Sequence, residues 1–202
     1  MSNSVNEILI IGLGLIGASI AKASKEKGII VHGYDIKKSV IKTAIGDNVI
    51  DQSIDSIEGL NNKSLIDKID LVIISVSPKA TQDIINQIPS LLNTKITIAD
   101  TSSVKNHLKI SSISNFILSH PIAGSDKSGI ASLDQTLFEN KKTIICNPNN
   151  VEDVHLKKLT DFWKYAMQMR VSEMSVKEHD LLFAMTSHLP HLISYALIDS
   201  IR

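Results

Sequence analysis

The chain reads as an α/β protein: a Rossmann-type, doubly wound, mainly parallel sheet followed by a long amphipathic helix. Three observations predict it. Short apolar runs alternate with helix-compatible segments from Ile8 to about Ser119, a pattern that puts helices on both faces of a parallel sheet. The first run, Ile8 to Ile11, leads directly into Gly12, Gly14 and Gly17 at G-x-G-x-x-G spacing, and a second run, Ile29 to Tyr34, ends at Asp35. Towards the other end, Ser175 and Glu178 form a capping-box pair ahead of a long amphipathic stretch, His179 to Arg202, which marks a helix start. The division falls between residues 1–173 and 174–202.

Ile8 to Ile11 is too short for a helix and suits a strand buried on both faces. In the loop Gly12-Leu13-Gly14-Leu15-Ile16-Gly17, Gly12 serves the tight turn, Gly14 the close approach of a pyrophosphate, and Gly17 helix–strand packing. The helix-compatible run Ala18 to Lys27 then turns its open N–H groups and positive dipole end towards the phosphates. Asp35 lies roughly twenty residues past the glycines, where the dinucleotide fingerprint needs an acid. Its carboxylate can accept hydrogen bonds from both ribose hydroxyls and would repel a 2′-phosphate, which favours NAD over NADP, although Lys37 and Lys38 lie close by.

Further along, a helix is expected over Lys37 to Ile45, ended by Gly46, and then a polar segment, Asp47 to Asn62, holding a short strand near Val49 and Ile50. Asp70 to Val76 is the next buried strand. Pro78 suits the first turn of the following helix, whose core face carries Ile84, Ile85, Ile88, Leu91 and Leu92; Pro89 should bend it. Lys95 to Ala99 forms a strand ending at Asp100, and Phe116 to Leu118 a short one leading into Ser119 and His120. Asp35, the segment Ser75, Val76 and Ser77, the segment Asp100 to Ser103 with Thr101 in it, and His120 thus fall at carboxyl ends of four strands. Open α/β sheets bind ligands at such ends. Thr143 to Cys146 and Gln168 to Ser172 look like added strands. Between them Val151 to Ala166 is an amphipathic helix with Leu156, Leu159, Phe162, Trp163 and Ala166 facing the core, and Pro190 should kink the last helix.

Composition narrows the function classes. Twenty-one basic and 21 acidic residues cancel, so no nucleic-acid or anionic-membrane partner is expected. No apolar run approaches the ~20 residues of a membrane span, and residues 1–7 lack the pattern of a signal peptide. The single cysteine, Cys146, excludes an internal disulfide and suits a reducing compartment. These features describe a cytoplasmic protein.

Three chemistries are open to the serines and histidines. A metal site of His188, His191 and His120 is disfavoured, because H-L-P-H has neither the spacing nor the carboxylate of H-E-x-x-H; no metal is expected. Ser125 and Ser128 lack the G-x-S-x-G elbow of a hydrolase. General-base assistance to hydride transfer fits best: His120 sits at a strand end on the nicotinamide side of the cleft, with Ser103 at the neighbouring end. An imidazole is poised near neutral pH for that task.

The sequence resembles the prephenate/arogenate dehydrogenase family of tyrosine biosynthesis. The matching segments run in family order: residues 12–19, Asp100-Thr101-Ser102-Ser103-Val104-Lys105, His120-Pro121-Ile122-Ala123-Gly124 through Gly129, Glu178-His179-Asp180, and Ser187-His188-Leu189-Pro190-His191. The resemblance implies NAD-dependent oxidative decarboxylation of a cyclohexadienol, prephenate or arogenate. It implies that His120 takes the ring-hydroxyl proton and that Ser103 holds the hydroxyl and His120 in register. It also implies that Ser125, Ser187, His188 and His191 line the substrate pocket, that residues 174–202 are the start of an all-helical dimerisation domain, and that the protein is a homodimer through its C-terminal helix. Ser125 and Asp126 replace the threonine and glutamate frequent in relatives. Neither Arg170 nor Arg202 stands where the family has its carboxylate-binding arginine, and the family's helical domain continues beyond residue 202. On that basis NAD binding with weak or absent prephenate turnover is expected. Other small-acid dehydrogenases of similar architecture, and a catalytically silent NAD-binding module acting through its terminal helix, are the alternatives.

Overall fold

The computed structural model of the chain describes residues 5–57, 63–88, 91–92, 94–111 and 113–201. Its centre is an eight-stranded sheet in the order β3-β2-β1-β4-β5-β6-β7-β8. The first six strands, β1 (Glu7–Ile11), β2 (Ile30–Tyr34), β3 (Gln52–Ser53), β4 (Leu71–Ile74), β5 (Thr97–Asp100) and β6 (Phe116–Ile122), pair in parallel. β7 (Lys142–Cys146) runs antiparallel to β6, and β8 (Arg170–Glu173) parallel to β7. Side chains alternate across the pleat, so β1 feeds two separate cores. Ile8 and Ile10 join Ala18, Ile20, Val31 and Trp163 on one face. Leu9 and Ile11 join Val72, Ile74, Ile85 and Phe116 on the other. That division is the doubly wound architecture in physical terms.

The helices are α1 (Leu15–Lys25), α2 (Lys38–Gly46), α3 (Lys63–Ile66), α4 (Pro78–Gln87) and α5 (Asp153–Asp161). A π-helical turn, Phe162–Ala166, continues α5. It buries Phe162 and Trp163, with Trp163 edge-on to Phe138 and Phe162. Beyond β8 comes α6 (Val176–Phe183), a π-helical turn (Ala184–His188) and α7 (Leu189–Ser200). Both halves of the capping box form: Ser175 Oγ accepts from the Glu178 N–H at 3.2 Å, and the Glu178 carboxylate accepts from the Ser175 N–H at 2.9 Å.

Several expectations need correction. α1 begins at Leu15, directly on the glycine loop, and not at Ala18. The third strand lies at Gln52–Ser53, pairing with His32 and Gly33. Val49 and Ile50 are instead buried in the turn after α2, where Asn48 takes a left-handed φ of 54°. α3 was not foreseen, and among the described residues the link from β5 to β6 contains turns and no helix, so strict alternation stops at α4. Gln168 is left-handed (φ 55°) and leaves the last strand to start at Arg170. The effect expected of Pro89 lies outside the described residues. The interruption expected at Pro190 takes the form of the preceding π turn, which accommodates the N–H that proline lacks.

Helix Val176–Ser200 is, by length and composition alone, long and apolar enough to cross a membrane. This corrects the expectation that no apolar stretch approaches a membrane span: dispersed polar residues interrupt the apolar runs of the helix without making it polar on average. Its first turns are nevertheless fastened to the sheet domain: His179 is fully buried, and Asp180 accepts hydrogen bonds from the backbone of Lys105 and Asn106.

Candidate active site

The glycine loop leaves β1 under steric control. Gly12 has φ +94°, and a Cβ there would meet Ser75 O at 2.4 Å; a Cβ on Gly17 would meet Gly12 O at 1.9 Å. Gly14 is the opposite case. No heavy atom lies within 4 Å of its position for a Cβ, and it is the N-cap of α1, whose first turn carries no acid. An unobstructed helix N-terminus with exposed backbone is a cradle for phosphate. Asp35, just past the end of β2, accepts from the Leu13 N–H through Oδ2 and from the Lys37 N–H through Oδ1, both at 2.9 Å. The acid is thereby tied to the loop it serves.

Gly14, Leu15, Ile16, Ser75, Val76, Thr101, Ser103 and His120 line one cleft of about 430 Å³ above the carboxyl ends of β1, β4 and β5. Thr101 Oγ1 donates to Ser75 Oγ at 3.1 Å across its floor. Gly12, Leu13 and Gly17 are buried behind it, and Ser77 serves as N-cap of α4. The proposed substrate residues are less converged. Ser125 is exposed and bonded to Asp126, while its neighbours Lys127, Ser128 and Gly129 line the cleft. Ser187 and His188 are half-buried on the π turn, and His191 is exposed on α7. Of these three, His188 is near enough to act electrostatically on His120.

His120 is not at a strand end. β6 runs on to Ile122 because it changes partners: Phe116 and Ile117 pair with β5, whereas Leu118 to Ile122 pair with β7. His120 therefore stands within a strand, opposite Ile144. Its hydrogen bond runs to His179 (Nδ1 to Nε2, 2.9 Å), and not to Ser103. Phe183 packs edge-on against it, ring centroids 4.8 Å apart. Burial pushes the His120 imidazole down to about 3, helped by the Lys105 ammonium and by His179 and His188, with Asp180 opposing. At neutral pH the ring is uncharged and can accept a proton.

Beneath His120 lies a buried ion pair. Lys105 and Asp100 have fully buried side chains with Nζ 2.7 Å from Oδ2, and Nζ also donates to Ser119 O at 2.6 Å. Asp100 accepts as well from the Ser119 and Ser102 N–H groups, each at 3.1 Å, and from the Ser102 hydroxyl. Burial lowers the Lys105 ammonium, and Asp100 works against that shift. Lys105, His179, Asp180 and Phe183 were given no role by sequence reasoning; the only signal was their place in, or just after, matching family segments.

A parallel sheet in this order, with a glycine loop at its first turn and polar groups gathered at the neighbouring strand ends, defines a dinucleotide-binding domain. Comparison with known proteins makes the class particular. Residues 20–171 match the family described as prephenate dehydrogenase, nucleotide-binding domain. The chain is 32% identical over 205 residues to cyclohexadienyl dehydrogenase of Zymomonas mobilis, covering 96% of this chain and 67% of that protein. It is 31% identical to prephenate dehydrogenase of Bacillus subtilis, covering 98% of this chain and 54% of that protein. The crystal structure of A. aeolicus prephenate dehydrogenase with hydroxyphenyl propionate and NAD+ superimposes with a TM-score of 0.90 at 32% identity, over 99% of this chain and 70% of that one. The chain belongs to the prephenate dehydrogenase family. It spans between about half and about 70% of the length of these relatives.

Proposed function

We propose that the protein is an NAD-dependent dehydrogenase that oxidatively decarboxylates prephenate or arogenate, with residues 1–173 binding the dinucleotide. The observation that carries this reading is a neutral, half-buried His120 in the same cleft as the half-buried, sterically open Gly14. The residues present fit NAD: the clear space at Gly14, the acid-free first turn of α1 and the loop-anchored Asp35 suit a pyrophosphate and an adenosine ribose. When bound, NAD supplies the hydride acceptor. His120 takes the proton of the ring hydroxyl as the carbinol carbon is oxidised. It returns that proton to the same oxygen when carbon dioxide leaves and the ring's electrons make a phenol, so the step balances without another base. Ser103 lines the cleft beside it and holds the hydroxyl. Lys127 lies at the mouth as a positive charge for a substrate carboxylate. Ser125, Ser187, His188 and His191 complete the substrate side.

The exposed apolar face of α6 and α7, including Leu181, Leu182, Met185, Leu189, Leu192 and Ile193, supports self-association as a homodimer, and the free, buried Cys146 suits a cytoplasmic setting. Calorimetry with NAD, followed by the absorbance of reduced nicotinamide with prephenate or arogenate, tests the function. The expected result is NAD binding and turnover that falls at least about a hundredfold in His120→Asn, the scale of lost general-base catalysis, with NAD affinity kept. NAD binding with no turnover of either compound would leave a silent dinucleotide-binding module.

A further inference from the structure

We infer that His179 and Asp180 form a proton-orienting relay beneath His120, which fixes its ring proton on Nδ1 and leaves Nε2 bare. The inference rests on the proposed role of His120 and supplies what that role needs, since a general base must present an unprotonated nitrogen.

Asp180 Oδ2 accepts from the Asn106 N–H at 2.8 Å, and Oδ1 accepts from the Lys105 N–H at 3.0 Å. These donors and the adjacent imidazole hold the Asp180 carboxyl below its usual range, against its desolvation. It is therefore an acceptor only. His179 Nδ1 lies 2.8 Å from Asp180 Oδ1 and must carry the hydrogen of that bond. His179 is fully buried, and burial is the main cause that lowers its imidazole, so the ring is neutral and its Nε2 has no hydrogen. That bare nitrogen lies 2.9 Å from His120 Nδ1. Two bare nitrogens cannot bond, so His120 donates from Nδ1. A neutral imidazole has one hydrogen, and Nε2 of His120 is left as the acceptor.

Phe183 keeps the two rings in place, with centroids 4.8 Å from His120 and 4.7 Å from His179. The relay comes from one turn of α6, so docking of that helix completes a site that the sheet carries only in part. His179 and Asp180 are positioning residues, and Ser103 is free to engage substrate because His120 already has its partner.

The test reads the tautomer directly, by long-range nitrogen–proton correlation on the full chain labelled with 15N-histidine, with His120→Asn assigning the signals. At pH 7 the expected result is a protonated Nδ1 and a bare Nε2 on His120. In Asp180→Asn the amide oxygen can still accept from the backbone while its NH₂ donates to His179 Nδ1. His179 then donates from Nε2, and the His120 tautomer reverses. Reversing the tautomer of a catalytic histidine in this way costs on the order of 10⁴ in kcat, and here KM should change little. His179→Phe keeps the packing and removes the acceptor, so His120 should show a mixture of tautomers; this variant decides the question should Asp180→Asn not fold. A protonated Nε2 in the unmutated protein, or an unchanged tautomer in the variants, overturns the relay. The spectra need neither cofactor nor substrate. A bare Nε2 in a protein that oxidises neither compound would sustain the relay and sink the enzymatic reading, and a protonated Nε2 in an active enzyme would do the reverse.

Discussion

Lys105→Met tests the buried frame on which the site stands. Lys105 Nζ is held between Asp100 Oδ2 at 2.7 Å and Ser119 O at 2.6 Å with no exposure to water. Methionine keeps most of the volume and leaves the Asp100 carboxylate buried with no compensating charge. Removing one partner from such a pair costs about 3–5 kcal/mol, because the remaining charge stays desolvated. At roughly 2–4 °C per kcal/mol for a chain of this size, Tm should fall by about 6–20 °C, read by calorimetry or circular dichroism. The double variant Asp100→Asn/Lys105→Met removes both charges and should recover more than about half of that loss, since neutral replacement of a buried pair is often tolerated. A Tm for Lys105→Met within about 2 °C of the unmutated protein would refute the reasoning. So would a double variant less stable than the single one.

Two further outcomes follow from the geometry. Gly14→Ala should leave Tm nearly unchanged, because no heavy atom lies within 4 Å of the added Cβ, yet weaken NAD binding by standing where the pyrophosphate approaches the backbone. Gly17→Ala should weaken NAD binding and also destabilise by at least about 1–3 kcal/mol, the scale of overpacking, because its Cβ would fall 1.9 Å from Gly12 O; equal effects of the two variants on Tm would contradict this. In acid, the native protein resists protonating His120, whose imidazole lies at about 3 against an ordinary 6.5, while the unfolded chain takes the proton. Stability should therefore fall as pH drops from about 6.5 towards 3, by about 1.4 kcal/mol per unit for this group. His155 and His179 are lowered in the same direction and add to it. Urea midpoints that stay level from pH 7 to 5 would count against a neutral, buried His120.

The stretch from Glu7 to Asp35 was legible in the sequence because its determinants are local: a short apolar strand, glycines whose spacing answers close contacts, and an acid at a strand end. The capping box was legible for the same reason. What the capped turn touches was not. His179 and Asp180 acquire their meaning from Lys105, Asn106 and His120, more than fifty residues away in sequence, and no periodicity reports such contacts. The length of β6 was hidden likewise, since its second half is stabilised by β7, across an intervening loop. Val49 and Ile50 misled because apolarity signals burial and not strand pairing; their place is a packed turn. Lys105 stood in a matching family segment, but its burial against Asp100 is set by tertiary packing that the segment itself does not report.

In the proposed reaction the bare nitrogen of His120 meets the substrate's hydroxyl. A crystal structure of the chain with NAD+ and hydroxyphenyl propionate tests it most directly. Nε2 of His120 should lie about 2.6–3.2 Å from the phenolic oxygen, within reach for proton transfer, with the pyrophosphate against Gly14. A ligand bound in the cleft with that oxygen out of reach of His120 would contradict it.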